Sequence, residues 1–222
     1  MQVPANFDSV SLDGIISDWL LALGAFSVEA IVVLGPDPFA GPQQRLVLAL
    51  HPPRLLEAAR ALAEVQESEL PQADARAPLV SWQLIAGSAL DNPSRWRRLW
   101  LAYGYQSVLR IEFPLVSERA FEVYLFSPRQ WHDRNEAPAL AWSALNIWPL
   151  LKQAIADARN PLSPRELECL KLAFQGMTAR ASGEIMACSE RTVNFHLANA
   201  MGKLKVESKL AAVQRACWYG LI

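Results

Sequence analysis

Arg191, Asn194, Phe195, Ala198, Asn199 and Gly202 recur at steps that place them on one face of a helix, and several are of types that read base-pair edges. An Asn at position 194 can bond both the acceptor and the donor of an adenine edge, Arg191 can reach guanine or phosphate, and Phe195 can lie against thymine methyl groups. Ala198 and Gly202 are short enough to let such a helix sit deep in a groove. The face carries no acidic group, unlike an ordinary solvated helix face. Behind it, Val193, Leu197, Ala200, Met201 and Leu204 fall at i, i+4, i+7, i+8 and i+11, which makes the buried stripe. On periodicity alone, a generic three- or four-helix bundle with an amphipathic surface helix remains open.

The elements around that helix are written in cap residues. Ser189 reads as its N-cap, and the free amides and positive dipole that follow suit phosphate oxygens. Upstream, Ser163, Pro164 and Glu166 form a capping box with Pro at the first helical position, which predicts a helix over 164–175 stopped by a left-handed Gly176. A weaker helix is expected over 179–187 and a last one over 209–219. Lys203, Lys205 and Lys209 add positive charge near the end of the reading helix. Asn, Pro and Ser in the stretch from Asp157 to Ser163 mark a linker, so the chain divides into residues 1–158 and 162–222.

Composition agrees with two unlike parts. The 222 residues carry 21 basic and 22 acidic side chains. Residues 1–160 hold a net −4 and residues 161–222 a net +3, so a small basic module follows a larger acidic one. Cys169, Cys188 and Cys217 have no CxxC spacing, and His51, His132 and His196 form no HxxxH pair, which favours a reduced cytoplasmic protein without structural zinc or other metal. No cofactor is expected. The chain has no GxSxG, no Gly-rich phosphate loop and no early acidic pair of the kind a phosphoacceptor domain needs, so neither an enzyme nor a receiver domain is expected. No apolar run reaches membrane-spanning length, and the opening residues lack the basic-then-apolar order of a secretory leader.

Glu166, Leu170 and Gly176 at the spacing Ex3Lx5G, then Thr178, then SERTVNFHLANAMGKLKV from Ser189 to Val206, and finally Ser208 with AAVQRACWYGLI, cover about 60 residues. In this order they resemble the C-terminal helix-turn-helix of LuxR-type transcription regulators, a module also attached to NarL-type response regulators. The resemblance implies that residues 189–205 are the recognition helix, with Asn194, Phe195 and Ala198 facing bases. It makes Thr178, Ser189, Arg191, Thr192, His196 and Lys203 candidates for phosphate contact or orientation, and His196, beside the apolar stripe, also suits a packing role. The last helix resembles the family's dimerisation helix. Double-stranded DNA carrying an inverted repeat and a second copy of the chain are the implied partners. Ala181 and Ser182 depart from the Glu and aliphatic residue frequent in the family's second helix, which predicts a weaker cap and packing there.

In the first 158 residues, Ser27 to Gly35 and Gln44 to Leu50 read as strands, a helix is expected over 54–67, another over 94–103, strands over 107–113 and 119–127, and a long helix over 138–158. The fold class expected is an α/β domain, an antiparallel sheet flanked by helices, followed by a small all-α four-helix domain. With AYGYQSVLRIEFP, the order resembles the sensor domain of LuxR-type quorum-sensing receptors, which bind N-acyl-homoserine lactones between sheet and helices. The family's Trp, Tyr, Asp-Pro and second Trp map onto Arg54, Ala58, Glu67 and Trp82, so only Trp82 matches. The candidate ligand residues are then Trp82, Glu67 and Tyr103, with a small molecule of unidentified class rather than an ordinary lactone. Trp96, Leu99, Trp100 and Tyr103 share one face of SRWRRLW while Arg95, Arg97 and Arg98 project elsewhere, which reads as a core helix with a solvated basic face. Leu140, Ala144, Ile147, Leu151 and Ile155 form a stripe that suits core or dimer seam, and Pro149 should kink or split that helix. A protein that acts by contacts with other regulators, without reading promoters, is the alternative left open.

Overall fold

The computed structural model describes residues 11–36, 45–65, 80–86, 93–115, 120–131, 136–218 and 220–222, which form two compact units, Met1–Ala154 and Ile155–Ile222. In the first, helix α1 (Leu12–Ala22), capped by Ser11, precedes strands β1 (Ala30–Pro36) and β2 (Arg45–His51). A 3-10 turn (Pro53–Leu55) opens into α2 (Leu56–Ala63), followed by β3 (Val80–Leu84), α3 (Arg95–Ala102), β4 (Ser107–Pro114), β5 (Ala120–Ser127) and α4 (Glu136–Arg159). The strands form one antiparallel sheet in the order β2-β1-β5-β4-β3. This is the fold class expected from the sequence.

The strand positions follow from residue type. AIVVLGP has no polar side chain, so β1 can be central and buried along its whole length. A Cβ at Gly35 would stand 2.3 Å from Leu48 Cδ1 and 2.8 Å from Phe121 Cδ1, so any larger residue there would have to displace those side chains. Ala30, Val32, Leu34, Tyr124 and Phe126 pack with Leu55, Ala58, Leu62, Trp96 and Trp100 in one core cluster. Trp100 stacks on Phe126 with ring centroids 3.5 Å apart, and elsewhere in the unit Trp148 of α4 stacks on Phe113 at 4.1 Å. Trp96 and Trp100 are buried as the SRWRRLW pattern requires, while Arg95 and Arg98 are exposed.

A charged network is buried within this unit. Glu122 accepts from Arg45 at 3.1 Å, Arg110 at 2.9 Å and the Tyr124 hydroxyl at 2.5 Å, and Arg45 also donates to the carbonyls of Leu62, Ala63 and Val65 beyond and at the end of α2. Burial drives the Glu122 carboxyl upward, but the two guanidiniums and the Tyr124 hydroxyl leave it below its ordinary pKa.

Three expectations change. α1 and β3 are elements that the residue patterns did not announce. The helix expected over 54–67 forms as the 3-10 turn and α2 and ends at Ala63; Glu64 and Val65 are not helical, and residues 66 and 67 lie outside the described set. Pro149 does not split α4; it is exposed, so the carbonyl its ring leaves unpaired can be met by water. In the α4 stripe, Leu140, Ala144, Leu151 and Ile155 are buried and Ile147 half-buried, while Trp142 and Leu145 stay exposed.

The second unit is all helical: α5 (Pro164–Phe174), α6 (Ala179–Ile185), α7 (Glu190–Lys203) and α8 (Lys209–Trp218) around Cys169, Leu170, Val193, Leu197, Ala200, Leu204, Ala212 and Ala216. No helix among the described residues is long and apolar enough to cross a membrane.

Candidate nucleic-acid interface

α7 is fixed at both ends. At its start the Ser189 hydroxyl accepts from the Thr192 amide at 3.1 Å and lies 2.8 Å from the Thr192 hydroxyl. At its end Leu204 is the C-cap and Lys205 takes a left-handed φ of 53°. Arg215 of α8 donates to the Leu204 carbonyl at 2.7 Å, which satisfies an acceptor the helix leaves open. The helix therefore ends slightly before the expected Lys205.

The face of α7 turned away from the core is the expected one. Val193, Leu197, Ala200 and Leu204 are buried and Met201 is half-buried, while Arg191, Asn194, Ala198 and Gly202 are exposed. Phe195 is 62% exposed, an aromatic ring that the fold itself leaves uncovered. A Cβ added to Gly202 would meet nothing within 4 Å, so packing within the unit does not demand glycine there. His196 is half-buried, its ring 5.9 Å from that of Phe195.

α5 holds α7 from the side. Its capping box forms as expected: Ser163 Oγ accepts from the Glu166 amide at 3.3 Å, and Glu166 Oε2 accepts from the Ser163 amide at 2.7 Å. The same Oε2 accepts from Lys203 Nζ at 2.8 Å. Burial pushes the Glu166 carboxyl upward, but Lys203 and Ser163 outweigh it and leave the pKa below the ordinary value. Gly176 takes the left-handed φ of 82° expected of a helix stop. Thr178 caps α6 through the Ala181 amide at 3.2 Å, so that cap needs no side chain from position 181, and Ser182 is buried.

Ser189, Arg191, Thr192, Asn194, Phe195 and Ala198 thus come together on the first three turns of α7 and its cap. Thr178 caps the preceding helix. Lys203 stands apart, paired with Glu166, so its first role in this structure is to hold α7 to α5. Sequence reasoning did not find the Lys203–Glu166 pair or the Arg215 cap. Each joins residues far apart in sequence, and no local spacing announces them.

The candidate ligand residues of the first unit do not converge in the same way. Tyr103 is the exposed C-cap of α3, its hydroxyl donating to the Arg54 carbonyl at 3.4 Å. Trp82 is placed in β3, paired in register with Leu109, and Glu67 lies outside the described residues, as do His132 and Asp37-Pro38. A cavity of about 320 Å³ is lined by Leu84, Ala86, Leu101, Gly104, Tyr105, Gln106 and Gln130, and Tyr103 is not part of its wall. Among the described residues, the buried indole N–H groups of Trp96 and Trp100 have no hydrogen-bond partner. Nor do the described residues hold any group of three His, Cys, Asp or Glu fit for a metal.

Four short helices in which a capped helix presents an amide, a guanidinium and an uncovered ring are the arrangement of the helix-turn-helix class of domain. Residues 160–216 match the family described as bacterial regulatory proteins, luxR family. RpaR of Rhodopseudomonas palustris, a quorum sensing-dependent transcriptional regulator, is 48% identical over 64 residues, which are 29% of this chain and 26% of that protein. The transcriptional activator LuxR of Aliivibrio fischeri is 34% identical over 91 residues, 41% of this chain and 36% of that one. The chain therefore spans well under half the length of these relatives. Both are named as transcriptional regulators, not as enzymes. The solved structure of SdiA in complex with octanoyl-rac-glycerol is similar over the whole chain, with a TM-score of 0.50, 16% identity, and 100% of this chain and 98% of that one covered, which shows the shared fold.

Proposed function

We propose that this protein is a cytoplasmic, sequence-specific transcription regulator that binds an inverted-repeat operator as a homodimer. In this reading residues 162–222 read DNA, and residues 1–158 sense a ligand and contribute to dimerisation. The observation that carries it is the exposed α7 face, where Arg191, Asn194, Phe195 and Ala198 lie open, with Glu190 in the first turn the one acidic residue of the helix. Ser189, Thr192 and Thr178 offer phosphate contacts around it, and Lys203 contributes charge while it orients the helix.

The sensor unit does not take ordinary N-acyl-homoserine lactones. Supporting this, Ala58 is fully buried among core side chains and offers no donor at a position where the lactone receptors have one.

The test is an anisotropy titration of the full chain on an operator and its single-pair variants. Asn194→Ala should lose about 1–3 kcal/mol of discrimination at one base pair per half-site. Unchanged affinity and unchanged preference would contradict the groove assignment.

A further inference from the structure

Arg191 and Asn194 carry hydrogen-bonding groups toward solvent, whereas Phe195, on the same exposed stretch of α7, has neither donor nor acceptor in its side chain. The core of the C-terminal unit closes around Leu170, Val193, Leu197 and Leu204 without it, and its ring is left 62% exposed. The ring of half-buried His196 stands edge-on to it, with the planes at 62°. Beyond it the surface is low. Ala198, three residues on, is exposed, and seven residues on a Cβ added to Gly202 would meet nothing within 4 Å. Positions three and seven residues apart share a helix face, so Phe195 is the tall apolar residue of a face that is otherwise small toward its C-terminal side.

In the major groove, base pairs differ in their donors and acceptors and in one apolar group, the C5-methyl of thymine. A phenyl ring makes no directed bond to the donors and acceptors, and it gains by covering the methyl. Unmodified cytosine and uracil carry hydrogen at C5. In 5-methylcytosine a methyl stands at the same place in the groove as that of thymine. The two pyrimidines then differ at C4, carbonyl against amino, which is a hydrogen-bonding difference that a ring without donor or acceptor does not read.

We propose that Phe195 makes the reading of DNA methyl-dependent: in each half-site it covers one pyrimidine C5-methyl group, supplied by thymine or by 5-methylcytosine. This rests on α7 being the groove helix, and adds that methylation of a cytosine at that position strengthens binding while loss of the methyl weakens it. One methyl is worth about 4-fold in affinity, the equivalent of ~0.8 kcal/mol for a buried CH₂, and two half-sites together roughly 15-fold.

The test is an anisotropy titration of the full chain on the duplex it enriches from a random pool. Each thymine is exchanged in turn for uracil, and the sensitive position is also built with cytosine or 5-methylcytosine opposite guanine. One thymine per half-site should lose about 4-fold on exchange for uracil, and 5-methylcytosine should bind about 4-fold tighter than cytosine. Phe195→Ala removes an exposed side chain and should keep the native circular dichroism spectrum. It should bind the members of each pair alike and retain the base-pair preference supplied by Asn194. Equal affinity for thymine and uracil at every position, equal affinity for cytosine and 5-methylcytosine, or a methyl preference that persists in Phe195→Ala would overturn the inference. With the Asn194-dependent preference intact, those results leave the proposed function standing. A chain that enriches no sequence overturns both.

Discussion

Lys203 and Asn194 sit on one helix and have different work to do. Asn194 is exposed and its value lies in what it can bond outside the protein, whereas Lys203 holds Oε2 of a buried Glu166 at 2.8 Å. Lys203→Ala should therefore weaken binding to all operators alike and also destabilise the C-terminal unit. The stability loss should be about 1 kcal/mol, at the low end for a charged hydrogen bond because the lysine side chain is 43% exposed. Chemical denaturation of the variant checks the second effect, and unchanged stability would make the ion pair incidental. The Glu166 pKa is lower in the folded chain than in the unfolded one, so its contribution is complete above the ordinary carboxylate value and fades as pH falls through the depressed one. Glu166→Gln should flatten the part of the acid stability profile that belongs to the C-terminal unit. A profile identical to the native one would remove Glu166 from the account.

At the scale of elements, caps and stripes were legible and distant clamps were not. Ser163 with Glu166, Gly176 and Ser189 mark helix ends through rules that act within four residues, and each stands where those rules put it. The α7 stripe was legible for the same reason, since helical period alone sorts buried from exposed positions. β3 was not, because a five-residue strand at the sheet edge carries too short a pattern, and its partner β4 comes more than twenty residues later. α1 lacked a strong stripe: Ile15, Ile16 and Trp19 are buried, yet Leu21 is 81% exposed. The Arg215 cap ties α8 to the end of α7 between residues eleven apart in sequence. Arg215→Ala should free that carbonyl and let the end of α7 fray, costing about 1 kcal/mol locally. Hydrogen exchange should then quicken at the amides that close the helix, Leu204 to Val206, while those of α5 stay protected. Unchanged exchange would show that the end of α7 is held without Arg215.

For the whole molecule, the first unit was legible in fold class and its proposed ligand was not. Its strands and helices other than α1 and β3 follow from apolar runs, but the Glu122 network draws on β2, β4 and β5, and no sequence spacing joins Arg45 to Arg110. Ala58, buried in the core, offers no donor at a position where the lactone receptors have one. Common acyl-homoserine lactones should leave the melting temperature and DNA binding unchanged, and a saturable thermal shift abolished by Trp82→Ala would restore the ordinary receptor reading. The central claim, that paired α7 helices read bases, is tested most directly by selecting bound duplexes from a random pool with the full chain and sequencing them. The account predicts an enriched inverted repeat whose half-site centres lie about 10 base pairs apart, bound by two copies of the chain. Recovery of no enriched sequence, or of a single asymmetric half-site bound by one copy, would contradict it.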